Sequence, residues 1–497
     1  MKKFIIKSIK MFFAGIFALY SMSCSDFLDK NPLDQISSET FWNTEDEVDM
    51  ALAGVYARLR GFTFTHKDGS FDVMGGDAYG TVTTLSQGNI EPTSGSLVDQ
   101  IYGDCYKGIS TCNFFLDNVD MAEFLDATKL NQYKAEVYFL RALFYFTLTD
   151  HYGGVPLYTN YVTVEEALIK QSTKEQVMEQ VLTDLDFAIT NLPNEAYSDG
   201  HVVKGSAQAL KARVLLYNER WSDAAEAANQ VISDGKYDLF DNFRTLFLTE
   251  GQPNNPEIIF STRYLAPDIT NNLDIRFSWH GILNPNQILV DAYECTDGLT
   301  IDESPLYDPT NWRLNRDPRC LMTIKAYEDK VINSAGVEMG FNYNNVGNGY
   351  NPVKYCNWDV LPIDYSTISD QDWILIRYAE VLLMYAEAKN EASGPDASVY
   401  SAVNQVRDRV DMPPLPEGLS KDEMRERIRH ERRVELALEG FRWSDVRRWR
   451  IAEDIIPTIV DVGGARRKFD PSKHYLLPFP QSERDINPNL DQNPGYN

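Results

Sequence analysis

Small-residue helix pairs recur on both sides of a long stretch without helical period, and this alternation limits the fold more than any other feature. Ala207, Leu210, Val214 and Tyr217 fall on one helix face. After a break at Glu219 to Ser222, Ala224, Ala228 and Val231 fall on a second. Two such helices joined by a tight turn, with Trp221 at the turn, read as a tetratricopeptide-like unit, which buries its apolar face by stacking on a neighbour. Arg377 to Asn390 repeats the theme with Ala379, Leu382, Leu383 and Ala386, and its Ala-Glu-Val start echoes Ala135-Glu136-Val137. The spacing predicts another helix near Tyr133 to Asp150, stopped by Gly153, Gly154 and Pro156. Thr44 with Glu47, and Ser172 with Glu175, read as capping boxes, and Gly440 as the C-cap of a helix from Ser420 to Glu439. Between the helical parts, Phe240 to Trp373 is rich in Asn, Pro, Gly and aromatics, and loops this long in a compact protein usually carry function. The expectation is a mostly α protein: a tetratricopeptide-like scaffold, not a regular solenoid, with a loop-rich insertion at about 240–373 and few short strands.

The N-terminus has its own logic. Lys2, Lys3, Lys7 and Lys10 precede an uncharged run from Met11 to Ser25 that is too short to span a bilayer, so residues 1–23 read as a secretory signal peptide. Small residues Ser21 and Ser23 precede Cys24, and the chain turns polar at once with Ser25 and Asp26. This pattern resembles a lipoprotein cleavage box, although Ser21 stands where an aliphatic residue is commoner, and it makes Cys24 the lipidated first residue of a single domain over 24–497. Several acyl chains there give stable anchoring where one gives only marginal binding.

The formal net charge of −26 becomes −30 once those four lysines are removed. Such a field repels phosphate backbones and anionic lipid, which argues against nucleic acid and leaves a neutral ligand open. The remaining cysteines, Cys105, Cys112, Cys295, Cys320 and Cys356, are odd in number and widely spaced, which describes neither a disulfide framework nor a zinc site. Buried thiols are the expectation. No metal or cofactor is expected either. His430-Glu431 lacks the second histidine of a zincin, and no nucleophile elbow, phosphate loop or dinucleotide fingerprint is present.

An ordered series of blocks then carries a family resemblance. It runs through Cys24-Ser-Asp-Phe-Leu-Asp29, Phe41-Trp42, Ala51-Leu-Ala-Gly-Val-Tyr56, Tyr152-Gly-Gly-Val-Pro-Leu157 and Asn315-Arg-Asp-Pro-Arg319. It continues through Ile376-Arg-Tyr-Ala-Glu-Val-Leu-Leu383, Glu431-Arg-Arg-Val-Glu-Leu436, Glu439-Gly-Phe-Arg-Trp443 and Pro488-Asn-Leu-Asp-Gln-Asn-Pro-Gly-Tyr496. In this order the blocks resemble SusD/RagB-type outer-membrane lipoproteins across nearly the whole chain. The resemblance implies a non-catalytic, lipid-anchored protein on the exterior of the outer membrane. It implies too that the chain captures oligosaccharide or polysaccharide and delivers it to a SusC-like TonB-dependent transporter. Within the blocks, Arg377, Glu380, Arg432 and Glu435 are expected to hold helices together rather than touch ligand.

Sugars present apolar C–H faces rimmed by hydroxyls, so a site for them needs exposed rings beside amide, carboxylate or guanidinium groups. The candidate rings are Tyr79, Tyr102, Trp279, Trp312, Tyr350 and Trp358, and the candidate polar partners are Asp77, Arg276, His280 and Asn357. Asp77 resembles an acidic family position after the first helix pair. Arg276-Phe-Ser-Trp-His280 places charge, ring and donor within five residues. Each such ring has a competing role in packing the loops onto the helices. Competing functions are a lid for a peptide-importing transporter, a purely structural partner of the barrel, and a glycoside hydrolase using two carboxylates.

Overall fold

The computed structural model describes residues 41–496, apart from 67–68, 81, 327–328, 330, 333–337, 340–347 and 358–365. The signal peptide, Cys24 and Trp358 lie outside the described residues. Helix α1 (Glu45–Tyr56) opens on the predicted capping box, in which Thr44 and Glu47 satisfy each other's backbone N–H. Then come α2 (Leu97–Asn118), α3 (Ala127–Tyr152), α4 (Lys174–Asn191), α5 (Lys204–Tyr217) and α6 (Trp221–Ser233). Beyond the insertion lie α7 (Tyr378–Ser393), α8 (Ala397–Asp408), α9 (Lys421–Glu435) and α10 (Arg442–Arg448). Neighbours in sequence pack in pairs, and α6 packs on α7, so the helical layer continues across the insertion as if it were not there.

Two predicted boundaries move. The second capping box is Thr173 with Gln176; Ser172, one residue before that cap, donates its N–H to the Val155 carbonyl instead. Helix α9 stops at Glu435, not Glu439. The Glu435 carbonyl, which a longer helix would bond to the 439 N–H, is taken by Arg377 Nη2 at 2.9 Å and Lys354 Nζ at 3.2 Å. Gly440, with φ +86°, closes the following turn and donates its N–H to Asp72 Oδ2.

The insertion leaves the scaffold through one gate. Strand β2 (Ile258–Thr262) pairs antiparallel with Trp373–Arg377, so the chain between these strands leaves and returns side by side. Behind this gate sits a buried ionic network. Arg377 bonds Glu257 at 2.7 Å, Glu435 at 2.6 Å and Glu439 at 2.8 Å. Arg319 bonds Asp317, Glu431 and Glu435 at 2.6 to 2.8 Å, and Arg407 and Arg409 extend the network to Glu294 and Glu257. Burial alone would push the Glu435 carboxyl up; Arg409, Arg377 and Arg319 together hold it well below the usual carboxylate range. The same burial lowers the Lys354 ammonium to about 8.

The five described cysteines are all buried and unpaired as disulfides. Burial raises the Cys320 thiol to about 12 and the Cys105, Cys112 and Cys356 thiols further still. A thiol reagent such as Ellman's should therefore label none of these cysteines in the native protein at pH 8 and all five after unfolding. Rapid native labelling of any one would contradict this packing.

A cavity of about 90 Å³ lies inside the scaffold between His66, His151 and Trp373. His151 is 4% exposed and its Nε2 has no partner among the described residues. Burial, reinforced by Arg447 and opposed by Asp150, lowers its pKa from 6.5 to about 4. The unfolded state therefore binds the proton first, and stability falls as pH drops from about 6.5 toward 4. Between pH 6.5 and 5 this group should cost about 2 kcal/mol. The urea midpoint should fall less over that interval in His151→Gln than in wild type; equal losses would contradict the assignment.

Candidate functional site

Short strands gather distant loops onto one face. Strand β1 (Ala78–Gly80) pairs antiparallel with β3 (Leu283–Pro285), setting Tyr79 opposite Asn284. Gly80 is required here, because a Cβ would sit 2.0 Å from the Ile282 carbonyl oxygen. Strand β4 (Ile324–Ala326) pairs with Tyr350–Pro352, placing Ala326 opposite Tyr350. The Tyr350–Pro352 strand packs against β3 and against the turn Ile275–Trp279. Asn348 stitches the pairs together by donating to the Asn284 and Pro285 carbonyls at 3.1 and 2.9 Å.

On this frame the Trp312 ring meets Tyr350 edge to face, with centroids 5.5 Å apart and planes at 85°. The Arg313 guanidinium lies 4.9 Å from the centre of the Trp312 ring and is paired with Asp329. The Tyr350 hydroxyl donates to Gln287 Oε1 at 2.8 Å, and burial raises its pKa, so it is a neutral donor at pH 7. Trp312, Tyr350 and Tyr79 are all half-buried, with Trp312 and Tyr350 packed against the core. The result is a shelf of rings bordered by an amide, a guanidinium and a carboxylate.

The Arg276–His280 segment forms a wide helical turn in which the His280 N–H bonds the Ile275 carbonyl five residues back. Phe277 and Ser278 are buried in it; Arg276 and His280 are half-buried, and the Arg276 guanidinium lies 6.0 Å from the centre of the Phe62 ring. The backbone of Trp279 belongs to this turn. Asn357 is anchored beside it, since its N–H donates to Asp274 Oδ1 at 2.5 Å. Asp274 also accepts from Ser369 and Gln371, which fastens the turn to the gate.

Two candidates leave the set. Asp77 is 2% exposed, and its carboxylate meets Arg433 at 2.5 Å and Arg442 at 3.5 Å. It ties β1 to α9 and α10, so it positions Tyr79 instead of reaching outward. Tyr102 sits on α2 at 6% exposure, packed on Tyr106, Tyr152 and Phe479, and the structure separates it from the shelf. Sequence reasoning missed Gln287, Arg313 and Asn348. Only Asn348, in an Asn- and Gly-rich run, carried any signal. Among the described residues no group of three or more His, Cys, Asp or Glu side chains could hold a metal ion.

A helical scaffold that presents loops around an aromatic shelf defines a binding-protein architecture, and comparison with known proteins gives its family. The SusD family model matches residues 256–496, and a second model, described as starch-binding associating with outer membrane, matches residues 26–216. SusD-like protein P2 of Formosa agariphila is 28% identical, with 97% of this chain and 98% of that protein covered. The starch-binding protein SusD of Bacteroides thetaiotaomicron is 25% identical, with 98% of each covered. Among solved structures, a SusD-like carbohydrate-binding protein of Bacteroides fragilis superposes with a TM-score of 0.81 at 27% identity. It covers 91% of this chain and 100% of its own. A laminarin-binding SusD-like protein superposes at 0.70 and 26% identity, with the same coverage. The chain belongs to the SusD/RagB-like family.

Proposed function

We propose that this protein is a non-catalytic glycan-binding lipoprotein, held by Cys24 to the exterior of the outer membrane. It captures oligosaccharides and delivers them to a SusC-like TonB-dependent transporter. The observation that carries the reading is the Trp312–Tyr350 shelf with Arg313, Asp329 and Gln287 beside it. A pyranose ring stacks its C–H face on half-exposed aromatics while its hydroxyls exchange hydrogen bonds with the guanidinium, carboxylate and amide at the border. The shelf rests on paired strands, so little ordering is needed when a sugar arrives. The starch- and laminarin-binding relatives support a glycan as the ligand class.

The test is a glycan array run beside a peptide array with the soluble chain starting at Ser25. Saturable binding to oligosaccharides and none to peptides supports the proposal. Binding confined to peptides would replace it with the peptide-lid reading.

A further inference from the structure

We infer that the aromatic shelf selects neutral glycans against acidic ones, and that Asp329 sets this choice. The inference rests on the glycan-capture reading above and deepens it. An acidic sugar needs a cation to receive its carboxylate or sulfate, because a charge taken out of water is costly unless it is paired. The guanidinium that borders the shelf, that of Arg313, is already claimed. Its Nη2 donates to Asp329 Oδ1 while the group lies over the Trp312 ring.

Asp329 is held in place independently of Arg313. The Ala326 N–H donates to its Oδ2 at 2.7 Å, and the Asp329 N–H donates back to the Ala326 carbonyl at 3.1 Å. Ala326 is the residue opposite Tyr350 in the β4 pairing. The ribbon that carries the Tyr350 ring therefore carries this carboxylate too. A half-exposed ion pair contributes little stability by itself, but here the backbone keeps the carboxylate beside the guanidinium. An incoming carboxylate or sulfate would have to displace it. A neutral hydroxyl brings no charge that needs pairing, and it can donate to the Asp329 oxygens.

The other charges near the rings act in the same direction. The Tyr350 hydroxyl donates to Gln287 Oε1, and Gln287 Nε2 donates to Asp291 Oδ1 at 2.7 Å, so a second carboxylate is tied to the shelf. Asp308 opens the turn that leads into Trp312, with the Asn311 N–H on its carbonyl at 3.0 Å. Hydrogen bonds from Thr310 lower the Asp308 carboxyl pKa, so this third acid is ionised at pH 7. The described cations of the same stretch are engaged elsewhere. Arg316 is 4% exposed and donates to the Trp312, Val290 and Tyr293 carbonyls. Arg319 belongs to the buried ionic network. Lys325 stands opposite Asn351, on the other face of the ribbon from Tyr350. On the neighbouring turn, Arg276 lies against the Phe62 ring. Residues 287–350 hold ten acidic and five basic residues, so the longer-range field also repels anions. Such like-charge repulsion discriminates between ligands of similar size and shape.

The test uses the mature lipoprotein in detergent on an array of neutral, uronate-bearing and sulfated oligosaccharides of matched length, with calorimetry on the best ligand of each class. Wild type should bind the neutral class at least about tenfold more tightly than either acidic class at low salt, and the gap should narrow as salt is added. Asp329→Asn keeps an oxygen for the Ala326 N–H and removes the charge. It should raise the ratio of acidic to neutral affinity by about tenfold, and adding Arg313→Gln should abolish that gain. Acidic sugars bound by wild type as tightly as neutral ones overturn the inference and leave glycan capture intact. An unchanged ratio in folded Asp329→Asn, or binding confined to cationic amino sugars, overturns it as well. Wild type that binds no glycan of any class overturns both readings. The wild-type comparison decides the matter even if the variant does not fold.

Discussion

Arg377→Ala should cost about 3–5 kcal/mol of stability, the usual effect of removing one partner from a buried ion pair. Arg377 is 1% exposed and serves three carboxylates at once, from the residue before β2, from α9 and from the turn after α9. Without it Glu257 keeps Arg409, and Glu435 keeps Arg409 and Arg319; Glu439 is left with Lys354, whose own charge burial already disfavours. The damage would also be architectural. Arg377 ends the strand that closes the gate and caps the Glu435 carbonyl where α9 stops. Arg377→Lys should fall between wild type and alanine, because a single ammonium cannot reproduce the planar fork that bonds several carboxylates. Chemical denaturation measures this, and a loss below about 1 kcal/mol for Arg377→Ala would contradict the structural role.

The second large effect is expected at the shelf. Trp312→Ala combined with Tyr350→Ala should weaken oligosaccharide binding by about 2–4 kcal/mol, roughly 30- to 1000-fold. Each ring supports the other edge to face, and Tyr350 also orients Gln287, so the single variants should not add to the double. Both rings are half-buried, so the thermal midpoint should move much less than with Arg377→Ala. Unchanged affinity in a folded double variant would place the sugar elsewhere on the loop face.

The helical scaffold was legible in the sequence because its signals are local: helical period, capping boxes, and glycines that end helices. Thr44 with Glu47 needed only four residues to be read. The errors at Ser172 and Gly440 arose where a distant partner decided the boundary. Val155 takes the Ser172 N–H, and Arg377 with Lys354 takes the carbonyl that would have continued α9. The site was harder to read for the same reason. Asp77 stands in a glycine-rich stretch and reads as exposed; its partner Arg433 is 356 positions away. Trp312 and Tyr350 were found as rings in coil, but their meeting depends on strands of three residues whose register no periodicity shows. Gln287 and Arg313 acquire their roles only when those strands place them beside the rings.

We propose that this chain binds glycan without altering it. Titration calorimetry with an oligosaccharide that the array identifies, followed by chromatography of the recovered sugar, tests it most directly. The expected result is saturable binding that the Trp312→Ala/Tyr350→Ala variant loses, with the sugar returned at its original length. Shortened sugar in the wild-type cell, absent from a protein-free control, would contradict it.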